Sequence, residues 1–311
     1  MSLDLQAAQN AATVVLNLAV AVAAGARMST LWLSHGASPW ATDRRRIVHA
    51  WALAGTLVAL PANAALLWLE AAAMAEVPVA EAGEAAYAML TATHYGLAWS
   101  VGMGALAVAA ALGVPARASR KVTGAALAAL SVFWYARSMV SHAASDGDVS
   151  VALLVDWAHL ALISLWLGEL IVAGMAILAG TGPSSEQDRR TRAAYVASLS
   201  SSATIALAGI FVTGLYSAWH NLGAVQALVG TAYGNTLLAK LAVVGVAAML
   251  GGFNRFIVMP PWFGRERAGQ AARKALPHRF TRILQVEAVI LLAVLVLAAM
   301  LASTPPPATA M

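Results

Sequence analysis

Residues Val151–Ala179 read VALLVDWAHLALISLWLGELIVAGMAILA, an apolar run whose only ionisable side chains are Asp156, His159 and Glu169. A helix that crosses a bilayer needs about 20 mostly apolar residues. This run exceeds that length and is far too long for a buried strand, so it reads as a transmembrane helix. Seven further stretches have the same character: Ala7–Leu33, Ile47–Met74, Ala85–Leu112, Val122–Ala143, Ala193–His220, Thr236–Val258 and Ile283–Ala302. Their runs are continuous rather than alternating, which disfavours a β-barrel. Interspersed Gly, Ala and Ser allow close helix approach in lipid, where hydrophobicity gives no drive between helices. Pro61 removes a backbone donor in the second stretch and is expected to kink it.

The composition agrees. Of 311 residues, 60% are hydrophobic and 11% charged, with a mean hydropathy of +0.74. Soluble domains average about 45–50% apolar and about 25% charged. A soluble enzyme is thereby excluded, and so is a nucleic-acid binder, despite a pI near 9.9. No P-loop, HExxH or serine-triad pattern is present. The chain has no cysteine, so disulfides and thiolate metal sites are excluded. Residues 1–26 contain no Lys or Arg, and the first apolar stretch is read as a span rather than a signal peptide.

Charge placement orients the helices. Arg44–Arg46, Arg117, Arg120, Lys121, Arg189, Arg190, Arg192 and seven residues between Arg255 and Arg282 make 16 of the 19 basic side chains, all in alternate loops. The intervening loops carry Glu76, Glu81, Glu84, Asp146 and Asp148. By the positive-inside rule the basic loops are cytoplasmic and both termini periplasmic. The expected fold is therefore an all-α integral membrane protein, an eight-transmembrane-helix bundle forming one membrane domain over residues 1–311. Its basic residues act as topology signals and as anchors for membrane lipid headgroups.

Ionisable residues inside spans are costly and face partners or a wet pathway. Glu70, Arg137, Asp156 and Lys240 fall at similar depths near the outer side, as a charge layer of two acids and two bases. Arg27, Glu169 and Glu287 form a second layer nearer the cytoplasm. Of seven histidines, His35, His49 and His278 belong to the cytoplasmic side, and His94, His142, His159 and His220 to the outer half. His94 and His159 are expected about ten residues into their helices, roughly 15 Å deep at 1.5 Å per residue. Met139 and His142, three apart, share a helix face. Imidazole with thioether suits copper. The expected metal ligands are His94, His142, His159, His220 and Met139, with Asp156 orienting His159. An alternative is a b-type cytochrome, with haem b held axially by His94 and His159.

Several segments in order are similar to one family. Met139–His142 precedes Ala143-Ala144, then come Asp156-Trp157-Ala158-His159 and Leu165-Trp166-Leu167-Gly168. Thr213-Gly214-Leu215-Tyr216, Thr231-Ala232-Tyr233-Gly234, Leu237-Leu238-Ala239-Lys240, Asn254-Arg255 and Ala302-Ser303-Thr304-Pro305-Pro306 follow. Together these resemble the CopD copper-resistance family over residues 139–306, with only the topology similar before that. The resemblance implies a bacterial inner-membrane protein, not an enzyme, that moves copper ions from periplasm to cytoplasm beside a periplasmic copper-binding protein of the CopC type. His142, Asp156 and His159 match the family's His-Ala and Asp-x-x-His positions. Two departures stand out: Ser141 where a glycine commonly precedes the first His, and Glu169 where the family's second glycine would follow Gly168.

Overall fold

The computed structural model describes residues 3–34, 38–114, 119–179, 184–259, 270–304 and 307. His35, Arg117, Trp262, Arg265, Arg267, Pro305 and Pro306 lie outside the described residues. So do the side chains of Arg273 and Lys274.

Ten α-helices are present among the described residues: α1 (Leu3–Leu33), α2 (Pro39–Met74), α3 (Gly83–Ala92), α4 (His94–Ala111), α5 (Arg120–Ser138), α6 (Val151–Val172), α7 (Glu186–Leu222), α8 (Ala227–Gly230), α9 (Ala232–Phe253) and α10 (Gln270–Ala302). π-helical turns extend α6 over Ala173–Ile177 and α9 over Asn254–Val258. No strand occurs among the described residues. Six segments are long and apolar enough to cross a membrane: Asp4–Leu33, Pro39–Met74, Val151–Ile177, Glu186–Leu222, Ala232–Val258 and His278–Ala302. The chain is an all-α membrane protein.

The expected helices over Ala85–Leu112 and Val122–Ala143 are altered by their polar residues. Thr93 is extended (φ −124°, ψ 156°), ends α3 and caps α4, its hydroxyl accepting from the Gly96 N–H at 3.1 Å. Any Cβ on Gly96 would overlap the Met89 and Leu90 carbonyls, so the corner closes only around glycine. The same device recurs at Thr231, which caps α9 by accepting from the Gly234 N–H at 3.0 Å. Thr93-His94-Tyr95-Gly96 and Thr231-Ala232-Tyr233-Gly234 are thus one motif used twice. The fourth expected helix stops at Ser138, where Met139 is its C-cap. α2 runs as one helix with Pro61 inside it, and one expectation shifts: the last helix starts at Gln270, inside the stretch read as a loop.

α1 is the hub, packed against α2, α5, α6, α7 and α10. Small residues set its two closest crossings. Gly25 meets Gly168 of α6, and a Cβ on Gly168 would overlap the Ala21 carbonyl. A Cβ on Gly55 of α2 would stand 2.6 Å from the Ala19 oxygen. Where hydrocarbon surrounds the bundle, close backbone approach supplies the dispersion contacts that hold helices together.

At the basic end, Asp188 ties two helix starts together. It shares a capping box with Ser185 at the head of α7 and accepts from the Trp40 N–H of α2 at 3.2 Å. Arg44 and Arg192 are buried here (6% and 8% exposed), so these two are packing residues rather than headgroup anchors. The inner charge layer also differs from expectation. Arg27 bonds the Ala109 carbonyl at 2.7 Å, and Glu169 accepts from Trp32 Nε1 at 2.8 Å. Each takes neutral partners on a neighbouring helix.

Candidate functional site

The turn between α5 and α6 builds the outer end. Ser141 caps a 3₁₀ turn over His142–Asp146, its hydroxyl accepting from the Ala143 N–H at 3.2 Å. Gly147 follows at φ +99°, a left-handed geometry that favours glycine. Ser150 then caps α6 by accepting from Leu153 N–H at 3.1 Å. Tyr135 of α5 donates to the Asp148 carbonyl, which fixes the loop over the helix ends.

Two histidines from other helices face this loop. His94 Nε2 is 2.8 Å from Asp148 Oδ2, and His220 Nε2 is 3.8 Å from Asp146 Oδ2. His220 also stacks on Tyr216 with ring centroids 6.0 Å apart. His142 is exposed on the loop itself, and Met139 sits half-buried at its root. His94 of α4 and His220 of α7 thus meet the two acids of a loop that itself carries His142, with Met139 at the end of α5. Asp146 and Asp148 are the residues that sequence reasoning missed, having served only as markers of an outer loop. The usable signal was their position four and six residues after His142, beside Gly147.

His159 stands apart from this group. It lies eight residues into α6, roughly 12 Å below the helix start at 1.5 Å per residue. His94, by contrast, is an exposed residue that opens α4 beside Asp148, so the two are not brought to one depth. The Thr93 break is the reason, because it lifts His94 from mid-helix to a helix start. His159 Nδ1 is 2.8 Å from Thr213 Oγ1 of α7. Thr213 donates its single proton to the Gly209 carbonyl at 2.7 Å. The hydroxyl must then accept from Nδ1–H, which leaves the Nε2 lone pair of His159 as the free ligand atom.

Asp156, one turn above His159 on the same α6 face, lies 3.0 Å from the Ser141 hydroxyl, with Ser138 beside it. Arg137 acts electrostatically on both Glu70 and Asp156, and Lys240 on both Asp156 and His159. Among the described residues none of these four charged side chains forms an ion pair with another, so they act on one another through the field rather than by contact. Tyr95 and Tyr233, from the two repeated capping motifs, hydrogen-bond with Arg137 and Asn221 respectively. Among the described residues, no three His, Asp or Glu side chains converge as a closed metal cage. The polar groups instead fall at separate places: His94, His142 and His220 at the acidic loop, and His159 further along α6 against Thr213.

A family profile described as Copper resistance protein D-like, N-terminal domain matches residues 3–151, and one described as Copper resistance protein D matches residues 193–301. Asp156 and His159 fall between the two matched stretches, whereas His94 and His142 lie in the first and Thr213, His220 and Lys240 in the second. A Copper resistance protein D from Pseudomonas syringae pv. tomato is 28% identical over 246 residues, covering 76% of this chain and 73% of that protein. No solved structure matches the chain. With profiles of this family matching residues 3–151 and 193–301, this chain belongs to the copper resistance protein D family.

Proposed function

We propose that the protein carries copper ions across the bacterial inner membrane from periplasm to cytoplasm. Copper is received at the rim formed by His94, His142, His220 and Met139, and passes the charge layer to Nε2 of His159. The observation that carries this reading is the oriented His159 beneath a rim of three histidines that share one acidic loop. α4 and α5 complete an eight-span bundle with both termini periplasmic. Each is roughly 27 Å long at 1.5 Å per residue, close to the hydrocarbon thickness of about 30 Å. A periplasmic copper-binding protein of the CopC type delivers copper to the exposed loop. Mixed imidazole, thioether and carboxylate ligation suits transport, since a carrier site must bind well enough to select and weakly enough to release.

The placement of His94 and His159 at different levels, each with its own protein partner, gives the haem b alternative no support. The copper reading is tested in cells that lack other copper importers. Expression of the wild type should raise cellular copper, and His142→Ala and His159→Ala should each abolish that rise at equal membrane expression. Unchanged accumulation in both variants would overturn it.

A further inference from the structure

A second polar site lies at the opposite end of the bundle and is used by none of the sites above. A half-open cavity of about 240 Å³ is lined by α6, α7, α9 and α10. Its walls are mostly apolar, but Glu287, Asn254, Arg255 and Met259 also line it. The Glu287 carboxylate is 2% exposed and stands over α9, so that a Cβ on Gly251 would come within 3.0 Å of Oε1. Gly251 and Asn254 are three residues apart at the point where α9 loosens into its π-helical turn. They therefore share the face beneath Glu287. π-turns of this kind are frequent at functional sites.

Hydrogen bonding in this cavity is lopsided. Asn254 is 3% exposed and donates Nδ2–H to the Phe280 carbonyl at 3.4 Å, while its Oδ1 is buried without a partner. Arg255 directs Nη1 to the Ser200 carbonyl at 2.9 Å and the Ser200 hydroxyl at 2.6 Å. Trp166 is the neutral neighbour of the Glu287 carboxylate, and among the described residues no ion pair reaches it. Glu287 is hydrogen-bonded with Trp166, whereas the Asn254 amide oxygen is left without a donor. A buried carboxylate beside an orphaned amide oxygen calls for a cation.

We propose that Glu287, Asn254 and Met259 form an inner copper station, the last protein ligands before release to the cytoplasm; this rests on the copper-transport reading. Carboxylate, amide oxygen and thioether make a mixed hard and soft ligand set. Such a set holds copper more weakly than imidazole does, as a release site requires.

The test is copper binding by the purified full chain in detergent, measured with Cu(I) against a competing chelator. The wild type should show a tighter component lost in His159→Ala and a weaker one lost in Glu287→Gln, each variant keeping the other component. A Glu287→Gln isotherm identical to the wild type overturns the inner station while leaving the outer reading intact. Loss of the His159 component alone, without any effect on transport, would instead count against the transport reading. Should Glu287→Gln not be recovered as folded protein, Gly251→Ala, which pushes a methyl toward Oε1, should weaken the same component at least several-fold. No change there overturns the proposal as well. A phospholipid that co-purifies in the cavity together with a Glu287-independent isotherm would assign the space to lipid and overturn it too.

Discussion

His159 Nδ1 and Thr213 Oγ1 are 2.8 Å apart, and this contact between α6 and α7 selects which imidazole nitrogen is left free. Because Thr213 donates to the Gly209 carbonyl, the tautomer is set by a helix backbone group rather than by a second ionisable residue. Gly214 leaves room for the ring, since a Cβ there would meet His159 Cε1 at 3.3 Å.

Thr213→Val keeps the side-chain shape and removes the acceptor. Its cost in stability should be about 1 kcal/mol, the usual net value of one hydrogen bond. Copper affinity at His159 should fall roughly 10-fold or more, as when a supporting partner of a ligating histidine is removed. Thermal unfolding and copper binding of the same preparation separate the two effects.

The charge layer predicts coupling. Lys240→Met and Asp156→Asn should each destabilise the bundle by leaving a charge less compensated. The double variant should lose less than the sum, by on the order of 1–2 kcal/mol for interacting neighbours. Strict additivity in detergent melts would mean that the two do not act on each other.

Gly168→Ala places a methyl into the Ala21 carbonyl of α1. The crossing must widen, at a cost of about 1–3 kcal/mol typical of overpacking. Gly104 of α4 is different, because a methyl there would find nothing within 4 Å. Gly104→Ala should therefore be neutral or stabilising, by up to about 1 kcal/mol from helix propensity. Melting temperatures of the two variants should move in opposite directions or at least differ clearly.

At the rim, Asp148→Asn removes the partner of His94. Both side chains are about half exposed (50% and 41%), so stability should change by less than about 1 kcal/mol. Uptake from low copper concentrations should nevertheless slow several-fold, while uptake from saturating copper stays near the wild-type rate. Equal loss at both concentrations would place the residue's role elsewhere.

Much of this fold is written in the hydropathy of the chain. Val151–Ala179 alone gives α6, and the alternation of Arg44–Arg46, Arg189–Arg192 and the acidic loops separates the two ends of the bundle. Depth arithmetic places Glu70, Arg137, Asp156 and Lys240 at similar levels of their spans, at 1.5 Å of rise per residue. His94 resisted that arithmetic. A cap donated by Thr93 and a glycine-only corner at Gly96 break an otherwise uniform apolar run, and hydropathy does not register a break made by one hydroxyl and one missing Cβ. The repeated Thr-x-Tyr-Gly pattern was the available signal. Asp146 and Asp148 were hidden for a different reason: their partners come from α4 and α7, and only the folded turn brings those helices to the loop. The unmatched amide oxygen of Asn254 beside Glu287 was equally invisible, since which polar atoms go unmatched is decided only when α9 and α10 pack together.

Copper flux into proteoliposomes probes the role of His159 without the complications of a living cell. With wild-type protein oriented at random and external Cu(I), the initial rate should exceed that of empty vesicles and fall at least 10-fold in His159→Ala, with unfolding temperature and reconstituted amount unchanged. A His159→Ala rate equal to the wild type, or a wild-type rate no greater than that of empty vesicles, would refute copper carriage through this imidazole.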